Sequence, residues 1–508
     1  MLFNSHIFIF VFLPLLLAGW YFLNYKRKFM LAQGYLIGMS LWFYAYVNAA
    51  YLWLLLGSCI VGWSLSLLPE KISSKKGRKW IIAAGCAFHL GLLGYFKYSN
   101  FFLENINAAV GTDFSMMHIV MPVGISFYTF QQLAYLIDRC RGEAPKDSFW
   151  DYLTFMVYFP QLLQGPIMLR DELIPQLHEP ERRRFDAGRF SEGIQFFIIG
   201  LSKKVLLADT LAKAVNFGYS NTAGLDSISA VFLAAGYLAE LYFDFSGYCD
   251  MAVGIGKMVG IEVAENFDSP FKSASVKEFW RRWHMTLGRF FTRYVYIPLG
   301  GSRRGKARTL CNVMIVMLLS GLWHGAAWTF VLWGFLHGLG MMWDNIKRKG
   351  LPYRWMDQLL TFLYVSLTFV FFRAESIAQG FLVIGKMFSF QWNGFLLEIA
   401  QALEMSEVYI VTKALSMKLP QVLPWFWLVM LIVLCVVCAG VLCGKKAGDV
   451  IGASSSERGI AQHCWYPFAL AVLFVADLHD RSERVSVFFI LRSRKRAWTD
   501  GNFSDASG

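Results

Sequence analysis

Charge is scarce in this chain of 508 residues. Asp, Glu, Lys and Arg make up 16% of it against 56% hydrophobic residues, which excludes an ordinary soluble domain of that length. Acidic residues are the scarcer half, 35 against 48 Lys and Arg. The net charge of +13 is still no argument for nucleic acid, because the basic residues sit in short loops between apolar runs, where they meet lipid headgroups or a cytosolic anion. Nine cysteines (Cys59, Cys86, Cys140, Cys249, Cys311, Cys435, Cys438, Cys443 and Cys464) show neither paired metal-type spacing nor a secreted disulfide framework, and they read as small hydrophobes. No metal site is expected, which disfavours a metalloenzyme or haem protein. Nor is there a fixed-period repeat or an inverted transporter-type symmetry.

What the chain has is apolar runs close to the roughly 20 residues that a bilayer-crossing helix needs. His6 to Leu23, Leu31 to Val47, Ala50 to Leu68 and Trp80 to Tyr95 are the first four. The expectation is an all-α polytopic membrane protein with about 10–12 transmembrane or re-entrant helices. The first run has no basic residue before it and Lys26-Arg27-Lys28 after it, the reverse of a cleavable signal peptide, so it reads as a retained anchor. Positive-inside bias then puts the amino terminus outside, with the Lys26 turn and the Lys71, Lys75, Lys76, Arg78 and Lys79 loop inside.

A single integral-membrane domain is expected over residues 1–475, with scaffold helices in 1–110, a working core at about 115–345 and further spans at about 350–475. These last are Met356 to Phe372, Val422 to Leu442 and a weaker one from Trp465 to Val475; residues 477–508 form a polar, basic tail. The core stands apart because it mixes Pro, Gly, Gln and charge into apolar runs, which survive at membrane depth only against protein or a water-filled cavity. Tyr158 to Pro166 puts two prolines and a glycine in one such run. Either it is a re-entrant turn whose Gln161 and Gln164 line a polar passage, or it is a kinked ordinary helix. Pro122 to Gln132 offers hydroxyls and amides that serve equally as packing glue or as site groups. Glu240 and Asp244, one helical turn apart, repel unless one is protonated or both face a cation such as Lys203 or Lys204; a structural ion cluster and a support for a catalytic group both satisfy that.

Two Trp-His signatures complete the pattern, Trp280 to His284 and Gly321 to Trp328. A helix is expected from near Ser275 through Trp280 into Arg293, with Trp280, Trp283 and Leu287 on an apolar face and Arg282, Arg289 and Arg293 as a basic stripe. Such a stripe suits the phosphates of a coenzyme A thioester or anionic lipid headgroups. His324, flanked by Gly321 and Gly325 in the apolar stretch Cys311 to Trp343, is placed to take a proton from a hydroxyl attacking a thioester, unless it is simply a satisfied buried hydrogen-bonder. His337 falls on roughly the opposite face of a straight helix and reads as structural.

These segments give the chain its resemblance. Pro-Val-Gly-Ile-Ser-Phe-Tyr-Thr-Phe from Pro122, Tyr-Phe-Pro-Gln-Leu-Leu-Gln-Gly-Pro from Tyr158 and Asp-Phe-Ser-Gly-Tyr-Cys-Asp-Met-Ala from Asp244 come first. Glu-Asn-Phe-Asp-Ser-Pro-Phe from Glu265, Glu-Phe-Trp-Arg-Arg-Trp-His-Met-Thr-Leu from Glu278, Tyr-Ile-Pro-Leu-Gly-Gly from Tyr296 and Leu-Trp-His-Gly-Ala from Leu322 follow. In that order and spacing the chain resembles the membrane-bound O-acyltransferase (MBOAT) family, alginate O-acetyltransferase-like branch, over about residues 1–375.

The resemblance implies a helical ring around a central funnel or tunnel, with the family's essential histidine at His324 and its second at His284. It implies a cytosolic acyl donor such as acetyl-CoA, no permanently bound cofactor, a polysaccharide acceptor, an extracytoplasmic acetyltransferase- or esterase-like partner, and a bacterial plasma (inner) membrane location. Trp280, Arg281, Arg282 and Arg289 are then candidate donor ligands, and Asp244, Asn266, Gln161, Gln164 and Trp323 candidate tunnel or support residues. Within the family, D-alanyl transfer to teichoic acid and peptidoglycan O-acetylation are alternatives; outside it, a flippase for lipid-linked sugar is the rival. The polar, basic carboxy-terminal tail departs from the family's usual closing span.

Overall fold

The computed structural model describes residues 1–346, 350–405, 408–444 and 446–456, and all regular structure among them is helical. The expected span from Trp465 to Val475 and the tail at 477–508 lie outside the described residues. Among the described residues seven helices are long and apolar enough to cross a membrane: Phe8–Tyr25, Ala50–Lys71, Lys75–Val110, Ser227–Val259, Lys306–His324, Arg354–Arg373 and Pro420–Cys443. Other helices, including Phe29–Ala45, Ile125–Arg141, Ala187–Ser202 and Trp328–Ile346, pack among them. The first four expected runs coincide with helices, because each is bounded by a basic or polar turn that stops it.

Helix pairs are joined by glycines rather than by large side chains, since between apolar segments in lipid close backbone approach replaces hydrophobic driving force. Ala187–Ser202 lies on Ser227–Val259 through Gly193 and Gly200 against Gly254 and Gly247, each pair seven residues apart. A Cβ at Gly200 would stand 2.4 Å from the Gly247 carbonyl oxygen, and one at Gly254 would stand 2.5 Å from that of Gly193. Lys306–His324 and Trp328–Ile346 close on each other in the same way, with a Gly321 Cβ 2.3 Å from the Phe330 carbonyl oxygen and a Gly334 Cβ 2.4 Å from that of Met317.

Two breaks correct the sequence reading. The apolar stretch Cys311 to Trp343 is a helical hairpin, and His324 is the last residue of its first arm, followed by an extended Gly325. The helix expected from Ser275 to Arg293 is interrupted at His284, whose backbone is left-handed at φ 46°, leaving Val276–Arg282 and Met285–Phe291 as two short helices. A β-carbon-bearing residue in that region costs of order 1–3 kcal/mol and persists only where its surroundings fix it. Here Asn266 fixes it, accepting the Met285 N–H on its backbone oxygen at 3.0 Å and the Thr286 N–H on Oδ1 at 3.1 Å.

Candidate active site

The two breaks bring the histidines together. The rings of His284 and His324 lie 6.5 Å apart between centroids, and both line a cavity of about 390 Å³. His324 is partly buried, with Trp333 and Phe372 edge-on at 5.2 and 5.1 Å, and its ring nitrogens make no hydrogen bond to a described residue. The motifs from Pro122 and Tyr158 meet at the same wall. Gly124, left-handed at φ 77°, sits where a Cβ would be 2.4 Å from the Leu162 carbonyl oxygen, and Gly124, Ser126, Leu163 and Gln164 all face the cavity.

His284 is held in one tautomer. Its Nδ1 is 3.1 Å from Asn266 Oδ1, an atom that the Thr286 N–H and the Thr286 hydroxyl (2.9 Å) already identify as an acceptor, so Nδ1 carries the proton and donates. Nε2 is left as a lone-pair acceptor with no partner in the protein. Burial away from any acid pushes the His284 pKa down to about 3, so the ring is neutral. A neutral ring with Nε2 bare has no N–H to offer a carbonyl oxygen; facing the cavity, it can only accept.

Among the other expected support residues, Asp244 lines the cavity and pairs with Lys204 at 2.6 Å, while Lys204 also holds Asp209 at 2.7 Å; the neighbouring pair Lys203–Asp250 closes at 2.7 Å. Asp244 therefore faces a cation, as its repulsion from Glu240 requires. Trp323 lines the cavity with its ring edge-on to His324 at 4.9 Å. Gln164 lines it too, but Gln161 does not: fully buried, it donates to the Phe155 carbonyl at 2.5 Å across the break between the helices Phe149–Val157 and Phe159–Leu162.

The expected donor residues divide. A second cavity of about 460 Å³ lies among Val276–Arg282, Met285–Phe291 and the histidine hairpin, and Trp280, Arg281 and Arg289 all touch it. Arg289 is spent in a two-pronged pair with Glu172, and Arg282 in pairs with Glu278 (3.0 Å) and Asp268 (3.5 Å). Arg293 likewise binds Asp138 and Glu143, at 3.0 and 2.7 Å. The basic stripe is thus mostly internal structure. Trp280 Nε1 donates to His337 Nδ1 at 3.2 Å, and His337 Nε2 meets the Thr368 hydroxyl at 2.9 Å, so His337 is fully satisfied, as expected of a structural histidine. Arg281 alone of the four is exposed and without a partner among the described residues; Lys277, 3.0 Å from Asn345 Oδ1, shares its cavity.

The two cavities adjoin: Trp280, which lines one, has its ring edge-on at 5.6 Å to Trp333, which lines the other, and the chain neighbours Met285 and His284 divide between them in the same way. Lys97, which the sequence reading did not single out, also lines the histidine cavity; its only advance signal was a cation at the end of an apolar run. Phe245 stood inside the motif from Asp244 without being singled out, and Phe372 gave no signal among 46 phenylalanines. No group of three or more metal-ligating side chains occurs among the described residues.

Comparison with known proteins adds chemistry to this geometry. A profile described as MBOAT, membrane-bound O-acyltransferase family, matches residues 141–353. The chain is 37% identical over 420 residues to the "Peptidoglycan O-acetyltransferase" of Helicobacter pylori, covering 76% of this chain and 80% of that one. It is 38% identical over 411 residues to the "Probable alginate O-acetylase AlgI" of Pseudomonas putida, covering 77% and 81%. A more distant similarity, 28% over 283 residues and 49% and 68% of the two chains, links it to the "Teichoic acid D-alanyltransferase" of Streptococcus thermophilus.

Proposed function

Because this chain belongs to the membrane-bound O-acyltransferase family and is a multi-pass membrane enzyme that O-acylates polysaccharide, we propose that it takes acetyl from cytosolic acetyl-CoA and passes it to an exopolysaccharide or cell-wall hydroxyl. Acetyl is preferred to D-alanyl because relatives matched over three quarters of the chain carry acetyl in their names, whereas the D-alanyl relative matches about half of it. The single observation that carries the reading is the pair of imidazoles on one cavity wall, with a second, cation-fringed cavity directly behind.

In this reading His324 is the general base. It takes the proton as the hydroxyl oxygen bonds to the thioester carbonyl carbon; the C–S bond then breaks and the departing thiolate recovers that proton. His284 Nε2 orients the acceptor by taking a hydrogen bond from a second hydroxyl of the sugar, which leaves the attacking hydroxyl's own proton to His324, and Asn266 holds that tautomer. Arg281, with Lys277, anchors donor phosphates at the second cavity.

Orientation follows from charge. The loop with Arg303 and Arg304 precedes Lys306–His324, and 19 residues at about 1.5 Å rise put His324 on the order of 28 Å from it. With the basic loops inside and the amino terminus outside, in the inner membrane, the histidine cavity opens toward the outer half, where an extracytoplasmic partner receives or completes transfer. The test is mass spectrometry of surface glycans from cells carrying the wild type, His324→Ala or no protein. His324→Ala is expected to remove the acetyl increment while reaching normal membrane levels; acetylation retained at normal protein level would refute the assignment.

A further inference from the structure

The helix that ends at His324 leaves four terminal carbonyls without intrahelical partners, and the structure accounts for each. Gly321 O accepts from the Gly325 N–H at 3.3 Å. Leu322 O accepts from the Tyr98 hydroxyl at 2.5 Å, while Trp323 O and His324 O (3.3 Å) both accept from Lys97 Nζ. Lys97 and Tyr98 come from the wide π-type turn Gly94–Tyr98 in the distant segment Lys75–Val110, so one irregular turn closes three of the four carbonyls.

That accounting makes Lys97 unusual. It lines the histidine cavity, lies 5.8 Å from the Trp323 ring centroid, and approaches Ser126 Oγ at 3.4 Å. No carboxylate among the described residues pairs with it, whereas Lys203 and Lys204 nearby are both paired. A cation costs free energy in an apolar interior and is retained where it has a task. A helix carbonyl end offsets part of that cost, because its partial negative charge favours a cation.

We propose that Lys97 is a positioning residue of the transfer site, fixing the carbonyl end that carries His324 and keeping an uncompensated positive charge at the wall where negative charge develops on the thioester oxygen. This rests on the acyl-transfer reading above. When the hydroxyl adds to the carbonyl carbon, the C=O electron pair moves onto oxygen, and a fixed cation in a water-poor site lowers the cost of that charge without reorganising. The proton passes to His324, not to Lys97, whose three N–H bonds stay with Trp323, His324 and Ser126.

The experiment compares Lys97→Arg, Lys97→Gln and Lys97→Met for kcat, KM for acetyl-CoA and melting temperature in detergent, with His324→Ala alongside. Gln keeps N–H donors for the carbonyls but no charge. The expected result is a kcat about 10- to 100-fold down for Gln and Met with donor KM within twofold, and substantial recovery in Arg. Wild-type kcat in Gln, a loss confined to KM, or equal losses in Arg and Gln tracking melting temperature would each overturn the proposal. If Met fails to accumulate in membranes, the Arg–Gln comparison decides. Activity surviving in His324→Ala would instead sink the underlying reading, whatever the Lys97 variants do.

Discussion

The residue that organises this site lines neither of its two cavities. Asn266 Oδ1 takes hydrogen bonds from His284, the Thr286 N–H and the Thr286 hydroxyl, and thereby fixes both the left-handed turn and the proton on Nδ1. Asn266→Ala is expected to lose about 1–3 kcal/mol of stability and most transfer activity, because it leaves buried donors unmet. Asn266→Asp keeps the acceptor, but its carboxylate favours the imidazolium form of His284, so the acid limb of the pH–rate profile should move to higher pH. An unmoved acid limb in that variant would argue against a neutral His284 at work. At this scale the sequence was legible where residue type dictates chemistry: histidine and asparagine in an apolar setting point to a site. It was not legible for the arginines, since whether a guanidinium is free or neutralised depends on Glu172, Glu278 and Asp138, which the fold brings from elsewhere.

Elements were legible by length and boundary. The long runs ended where basic turns ended them, and Ser227–Val259 carries Glu240 and Asp244 one helical turn apart, as their spacing suggested. The breaks at His284 and Gly325 were hidden, because apolar periodicity runs across both and the forces that break the helices come from Asn266 in one case and from the packing of the returning hairpin arm in the other. The glycine contacts are testable. Gly200→Leu puts a side chain into the Gly247 carbonyl and should lower the melting temperature in detergent by the equivalent of about 1–3 kcal/mol, while Gly34→Ala, with nothing within 4 Å of its added carbon, should not. Equal effects from the two would contradict the close backbone packing.

For the whole molecule, the proposal is that two adjoining cavities let a thioester on one side of the membrane meet an alcohol from the other. Arg281→Glu should raise donor KM at least several-fold with kcat little changed, because Arg281 fringes the second cavity, the proposed donor site, without supporting the fold; Arg289→Ala, which strips Glu172 of its partner, should act mainly on stability. The overall architecture was readable from composition, whereas the partition was not, since it depends on which of two adjacent residues turns to which side.

The most direct measurement uses inverted membrane vesicles supplied on their outer face with acetyl-labelled acetyl-CoA. Label should appear on acceptor enclosed in the lumen with the wild type, and should be about 10²- to 10⁴-fold lower with His324→Ala at equal protein level. Equal labelling by the two proteins would contradict the account.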